Sequence, residues 1–289
     1  MSLIDLGNLT EPAKVLIERI GDAIGGIARP WQIERVARAE ANAMVVHAEG
    51  EVRVTEVQKR AAQRWLNEET QKQVNMESIA AKALPEIKAD AKPEKIEQDW
   101  FVNFFDKARL TSDEDMQKLW AKILAGQANA PGKFSKQTLE IVTRLEKSDA
   151  TLFQNLCRFV WWSNGQSHPV VWNEKHDIYT KNEITWETLL RLSDSGLIFL
   201  DWIKGGWAPP PPGDQIASGG ILLRYFTRSV NAIPAVMNGV RVGNVRFSRA
   251  GGELVAIFED LQPIDGFFEY MVNNWRSEHA EINECVGER

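Results

Sequence analysis

Thr111-Ser-Asp-Glu-Asp-Met-Gln-Lys-Leu-Trp-Ala-Lys-Ile-Leu-Ala-Gly126 places apolar side chains at Met116, Leu119, Trp120, Ile123 and Leu124. Steps of three and four residues gather them on one face of an α-helix, and Asp115, Gln117, Lys118 and Lys122 fall outside that stripe. A helix of this kind has to bury one face. Thr111 followed by Glu114 reads as a capping box, in which the threonine oxygen and the glutamate each meet an otherwise unpaired backbone N–H.

The flanking sequence repeats the pattern. Upstream, Pro93 suits a first helical turn, and Ile96, Trp100, Phe101, Phe104, Phe105 and Ala108 form an aromatic stripe on a second helix. Downstream, Asn129-Ala-Pro-Gly132 breaks the chain. Ser135 is placed to cap a helix carrying Leu139, Val142 and Leu145, and Ser148 one carrying Leu152, Phe153, Leu156 and Cys157. Four short amphipathic helices in so short a stretch must pack on one another.

The block Leu119-Trp-Ala-Lys-Ile-Leu-Ala-Gly-Gln127, followed by Pro131-Gly-Lys-Phe-Ser-Lys-Gln-Thr-Leu139, resembles a bacterial family catalogued only as a domain of unknown function. Its members share a Trp-x-x-(Ile/Leu)-Leu-Ala-Gly segment and then Pro-Gly-x-Phe-Ser-x-x-Thr-Leu. More distantly the chain is similar to the Abi-alpha abortive-infection proteins. The likeness covers residues 94 to 156. It implies a role in bacterial defence against phage and carries over no catalytic residue.

With 289 residues the chain is long enough for two domains, and 44% hydrophobic and 26% charged residues are an ordinary soluble composition. A net charge of -6 gives no global reason to expect nucleic acid. Only Cys157 and Cys285 occur, so a disulfide framework is not expected and a reducing compartment is. No basic region with a hydrophobic core opens the chain, and no run reaches the roughly 18 apolar residues of a spanning helix. The expected location is the cytoplasm.

Thr10 to Ala28 reads as a first helix, capped by Thr10, with Pro12 in its first turn and Leu16, Ile20, Ile24 and Ile27 on one face. Gly21, Gly25 and Gly26 each cost up to about 1 kcal/mol of helix propensity, so packing must hold it. Leu16, Ile20, Gly21, Ile24, Gly25 and Ile27 are therefore candidates for membrane contact or self-association, against packing on the protein's own core. From Trp31 to Leu84 there is no proline and only Gly50. One continuous helix of about 50 residues would be roughly 75 Å long, more than a small domain can cover. Either it is shared among subunits or it breaks near Gly50 into an antiparallel hairpin. Pro85 to Pro93 is a polar hinge.

Beyond Val160 the pattern changes. Val170 to Trp172 is a candidate strand, and Thr185 opens a helix that ends at Ser195-Gly196. Leu197 to Ile203, Ile221 to Val230 and Val240 to Phe247 read as strands, Gly205 to Gly220 as a loop, and Arg249 to Phe258 and Ile264 to Trp275 as helices. The succession around Trp186 to Ile198 and Val245 to Leu254 resembles winged-helix domains. Between Asp214 and Glu253 stand Arg224, Arg228, Arg241, Arg246 and Arg249 with no acidic residue between them. The favoured reading is that they pair with acidic helices or another subunit; on a winged-helix hairpin they could instead neutralise phosphates.

Enzyme signatures are absent: no phosphate-binding loop, no His-Glu-x-x-His, no Cys-x-x-Cys and no Gly-x-Ser-x-Gly. His168 and His176 with Asp177 are the only histidine cluster, short of the ligands a metal needs. The fold expected is mainly α with a smaller α+β part. A long N-terminal helix or helical hairpin over 1–92 serves self-association, a central four-helix unit covers 93–160, and a winged-helix-like domain covers 161–289. The function expected is a non-enzymatic, oligomeric protein without cofactor or metal, whose partners are its own copies, another protein or a membrane surface. The alternative is a nucleic-acid-binding regulator using the arginine-rich hairpin.

Overall fold

The computed structural model describes residues 9–25, 55–201, 205–208, 220–233, 239–258, 261–278 and 281–285. It is mainly helical with a smaller antiparallel β part, and it divides into two compact units, 1–143 and 144–289. The sequence reading drew three segments, with boundaries after 92 and 160. The helix before the first of those boundaries shares a core with the helices after it, so residues 55–143 belong to one unit.

Unit 1 holds α1 (Glu11–Ile24), α2 (Glu56–Ala83), α3 (Gln98–Ala108), α4 (Glu114–Asn129) and α5 (Lys136–Arg144), the last ending on the first residue of unit 2. Short 3-10 turns occupy Leu84–Glu86 and Pro93–Lys95. The core is the stripe expected from the sequence: Trp100 stacks on Phe104 at 5.1 Å, and Phe104 meets Trp120 edge-on at 5.2 Å. Such pairs add about 0.5–1.5 kcal/mol beyond the area they bury. The two halves of the sequence motif meet here. A Cβ on Gly126 would lie 2.8 Å from the Phe134 ring, so only glycine lets that ring lie against α4. Phe134 is also held by its backbone, since its N–H donates to Gln127 Oε1 at 2.9 Å and its carbonyl accepts from Trp100 Nε1 at 2.8 Å.

Helix α2 docks on α4 through its C-terminal end, where Asn75, Ile79, Ala80 and Ala83 are buried. The seam is polar as well as apolar. Gln117 Oε1 accepts from Ser78 Oγ at 2.8 Å and Lys82 Nζ at 2.9 Å, while its Nε2 donates to the Thr111 carbonyl at 3.0 Å. Asn75 Nδ2 donates to the Arg109 carbonyl at 2.9 Å, clamping α2 to the turn between α3 and α4. Helix α1 lies on α3 and the Pro93–Lys95 turn, with Arg19 Nη2 donating to the Ile96 carbonyl at 2.8 Å.

Unit 2 contains α6 (Lys147–Cys157), α7 (Asp177–Thr180), α8 (Trp186–Asp194), α9 (Arg249–Val255) and α10 (Phe267–Ser277). Its strands are β1 (Val160–Ser163), β2 (Gln166–Pro169), β3 (Ile198–Leu200), β4 (Gly206–Ala208), β5 (Ile221–Tyr225), β6 (Arg228–Ile233), β7 (Val240–Gly243), β8 (Val245–Phe247) and β9 (Glu281–Cys285). Five form an antiparallel sheet in the order β2-β1-β5-β6-β9; β3 pairs with β8 and β4 with β7. On the inner face Trp161 stacks on Tyr225 at 5.2 Å and Phe268 at 5.3 Å and meets Trp275 edge-on at 4.8 Å, so α10 seals that side. Gly243, at φ 106°, passes so close to Val171 that a Cβ would sit 2.0 Å from its carbonyl oxygen.

Several boundaries differ from the sequence reading, each for a local reason. Helix α4 is capped by Asp113, whose carboxylate accepts from Asp115 N and Met116 N at 3.0 Å, so the cap falls two residues after Thr111, whose backbone carbonyl accepts from Gln117 Nε2. Pro93 starts a separate turn, and α6 begins at Lys147, where Glu146 N donates to Asp149 Oδ2, rather than at Ser148. Helix α1 stops at Gly25, whose φ of 70° is the left-handed cap, and Ile27 lies outside the described residues. Helix α2 starts at Glu56 behind its N-cap Thr55, extended at φ -66° and ψ 154°, so no single helix runs from Trp31 to Leu84; Gly50 lies outside the described residues. The strand expected at Val170 to Trp172 is displaced to β1 and β2, a hairpin turned by Asn164 and Gly165 at φ 48° and 74°. Ile221 to Val230 is two strands joined at Phe226, and Val240 to Phe247 is β7 and β8 with different partners.

Candidate assembly and partner surfaces

From Glu56 to Val74 no residue of α2 is buried. That stretch is about 27 Å long at 1.5 Å per residue. Its cap is complete: Thr55 Oγ1 accepts from Gln58 N at 3.3 Å, and Gln58 Oε1 accepts from Thr55 N at 2.8 Å. Val57, Ala61 and Trp65 follow each other at four-residue steps, and steps of three and four carry the same row through Glu68, Lys72 and Asn75 to Ile79 and Ala83. The lower end of this row is the buried seam with α4. At the upper end Val57 is 65% and Trp65 58% exposed. One row thus continues beyond the core that uses it, charged at Glu68 and Lys72 and apolar again at Trp65, Ala61 and Val57, a pattern that the uneven spacing from Val57 to Val74 did not reveal as a heptad.

The first-helix candidates fall elsewhere. Leu16 and Ile20 are 0% exposed within unit 1, Ile24 is half-buried, and Gly25 caps the helix. Gly21 has nothing within 4 Å of its would-be Cβ, so no close helix approach depends on it among the described residues.

The arginines are dispersed over unit 2 and largely committed. Arg228 pairs with Glu269 and, at 3.8 Å, Glu284, and lies 3.5 Å over the Phe268 ring. Arg241 pairs with Glu278 at 3.2 Å and sits 5.0 Å over Trp172, while Arg246 pairs with Asp201 at 3.4 Å and Arg249 with Glu253 at 2.8 Å. Arg228 holds the Glu269 carboxyl below the usual carboxylate range. Arg224 differs: it is exposed on the outer face of the five-stranded sheet, in register with Trp162, which is 39% exposed. Leu222, Ser229, Asn231 and Asn283 share that face by strand alternation.

The two histidines do not converge. His168 is buried and its Nε2 lies 2.8 Å from Ser163 Oγ across the β1–β2 hairpin; burial lowers its pKa to about 4. Asn164-Gly165 between apolar runs was the signal for that hairpin and hence for this pairing. His176 caps α7 by accepting from Ile178 N at 3.2 Å and packs on Tyr270. Among the described residues no three His, Cys, Asp or Glu side chains are placed to share a metal ion. Cys157 is buried, which pushes its thiol pKa well up, and Cys285 is exposed; both are free thiols. No described helix is long and apolar enough to cross a membrane.

A family model described as a protein of unknown function, DUF2806, matches residues 59–271. The match takes in the exposed part of α2 from Lys59 and most of unit 2, and leaves out α1 and β9. No curated protein and no solved structure matches the chain.

Proposed function

The chain belongs to the DUF2806 family of unknown function, and from its geometry we propose that it is a non-enzymatic assembly protein that joins copies of itself through α2. The observation that carries this is the length of α2 standing clear of its own core with Val57 and Trp65 on its working face. Helices draw most of their stability in water from packing an amphipathic face, so a stretch of this length needs a cover. Lipid contact is not part of the proposal, because Leu16 and Ile20 are enclosed in unit 1. The defence role implied by the resemblance to abortive-infection proteins belongs to the proposal as the setting in which assembly would act. The test is the mass of the full chain in solution by light scattering over a range of concentrations. A defined oligomer supports the reading, and a monomer at every concentration removes it.

A second reading is favoured by one specific observation, the exposed pair of Trp162 and Arg224 on the open sheet face. An aromatic ring for base stacking beside a guanidinium for phosphate suits single-stranded nucleic acid. The winged-helix likeness belongs to the same reading, since α8 leads into β3, which pairs with β8 ahead of α9. Binding of a labelled single strand at low salt, lost in Arg224→Glu, supports it; no binding at low salt sinks it.

A further inference from the structure

The exposed part of α2 carries its charge unevenly. Lys59, Arg60 and Arg64 outweigh Glu56 in its first half, and Glu68 and Glu69 outweigh Lys72 in its second. Trp65 lies between the two halves on the row shared with the docked seam. Two copies laid parallel would set basic half against basic half. At about 100° per residue Glu56, Lys59 and Arg60 point away from the Trp65 row, whereas Arg64 and Glu68 border it on one side. Laid antiparallel about Trp65, Arg64 of each copy comes within about 3 Å along the axis of the other copy's Glu68, and the two tryptophans meet at the centre, where aromatic anchors dominate interface energy. We infer that a second copy of this chain covers the α2 face in an antiparallel, two-fold pair centred on Trp65.

The geometry of the helix fits this partner. In that register Ala61 of one copy lies opposite Glu69 of the other, and Glu56, the first residue of the helix, lies opposite Val74, just above the seam where Asn75 becomes buried. The overlap is then about 27 Å on both chains, so neither exposed stretch is left bare. Arg64–Glu68 at 3.5 Å and Glu69–Lys72 at 2.6 Å pair within the helix. Such exposed pairs contribute only about 0.3–0.5 kcal/mol each and do not prevent exchange across a dimer.

This inference rests on the assembly reading, and its failure is separable from that reading's. In a Cys285→Ser background, full-length Ala61→Cys and Glu69→Cys chains are treated with a short bis-maleimide, alone and mixed. The expected result is cross-linked dimer in the mixture and little from either chain alone, because parallel helices would place Ala61 beside Ala61 while antiparallel ones hold the two Ala61 sites about 12 Å apart along the axis. Trp65→Asp, with its helical circular dichroism unchanged, is expected to raise the dimer dissociation constant at least tenfold. Efficient Ala61→Cys self-cross-linking, or an oligomer indifferent to Trp65→Asp, overturns the antiparallel pair while leaving assembly standing. A full chain monomeric at all concentrations overturns both, with residues of the same chain then covering Trp65.

Discussion

The two ends of α2 belong to one helix and one face, yet only one of them is finished. From Asn75 to Ala83 the face meets α4 and is tied by Gln117 to Ser78, Lys82 and Thr111; from Glu56 to Val74 it has no buried residue. What separates them is the extent of the core beneath, for the row Val57, Ala61, Trp65 is as suited to packing as the row Asn75, Ile79, Ala83. Val57 and Trp65 lack a buried setting among the described residues, and on the proposed reading a second copy supplies it. Mutations at the two ends should therefore have opposite signatures, with stability lost at one and association at the other.

The largest effect is expected beneath the finished end. Phe134→Ala empties the space over Gly126 while the backbone bonds to Gln127 and Trp100 can remain, at a cost of roughly 3–5 kcal/mol for the lost ring. Urea denaturation reads this as a lower midpoint. Gly126→Ala drives a Cβ into the same ring and should lower the midpoint too; an unchanged midpoint in both would mean that the motif does not organise unit 1.

That motif also shows what a sequence can disclose. The stripe Trp100, Phe101, Phe104, Phe105 and the row Met116 to Leu124 were legible because a single helical period reports them. Gly126 and Phe134 were visible as a resemblance, but their contact was not, since it depends on how the chain returns after Pro131. Arg228, Arg241 and Arg246 looked uncompensated because Glu269, Glu278 and Asp201 lie dozens of residues away in sequence and come close only on folding. The turn at Phe226 escaped notice for another reason: it adopts φ 51° without glycine or asparagine to mark it. The free end of α2 escaped because periodicity tells which face is apolar and says nothing of where the core stops.

The next effect extends the contrast between enclosed and open surface to unit 2. His168 is ordinarily protonated near 6.5, but buried beside Ser163 it accepts a proton only near 4. Between those values the unfolded chain binds the extra proton and the folded chain does not. Its contribution to stability is therefore whole above about pH 6.5, declines as pH falls toward 4, and is flat below; the span is up to about 3 kcal/mol. His168→Asn should flatten that part of the stability profile, and an unchanged slope in that variant would show that His168 is not the group responsible.

A smaller loss tests the polar clamp at the seam. Gln117→Leu keeps the volume but leaves the Thr111 carbonyl and Lys82 without their partner, costing roughly 1–3 kcal/mol. If the variant is as stable as the parent, the Gln117 bonds do not hold the seam, which then rests on Ile79, Ala83 and the Asn75 bond to the Arg109 carbonyl.

The smallest expected change in folding stability is at the unfinished end. Trp65→Ala removes the largest side chain on the helix from a position that touches no core, so a protein diluted until it is monomeric should change in stability by no more than about 0.5 kcal/mol. Ordinarily the loss of a tryptophan costs several times that, because the cavity it leaves cannot collapse. A loss of that larger size in the dilute monomer would show that Trp65 is packed within its own chain, and the two ends of α2 would then be alike after all. A neutral result, obtained together with weaker association at high concentration, would mean that the face is built for contact and that the fold of unit 1 is complete without it.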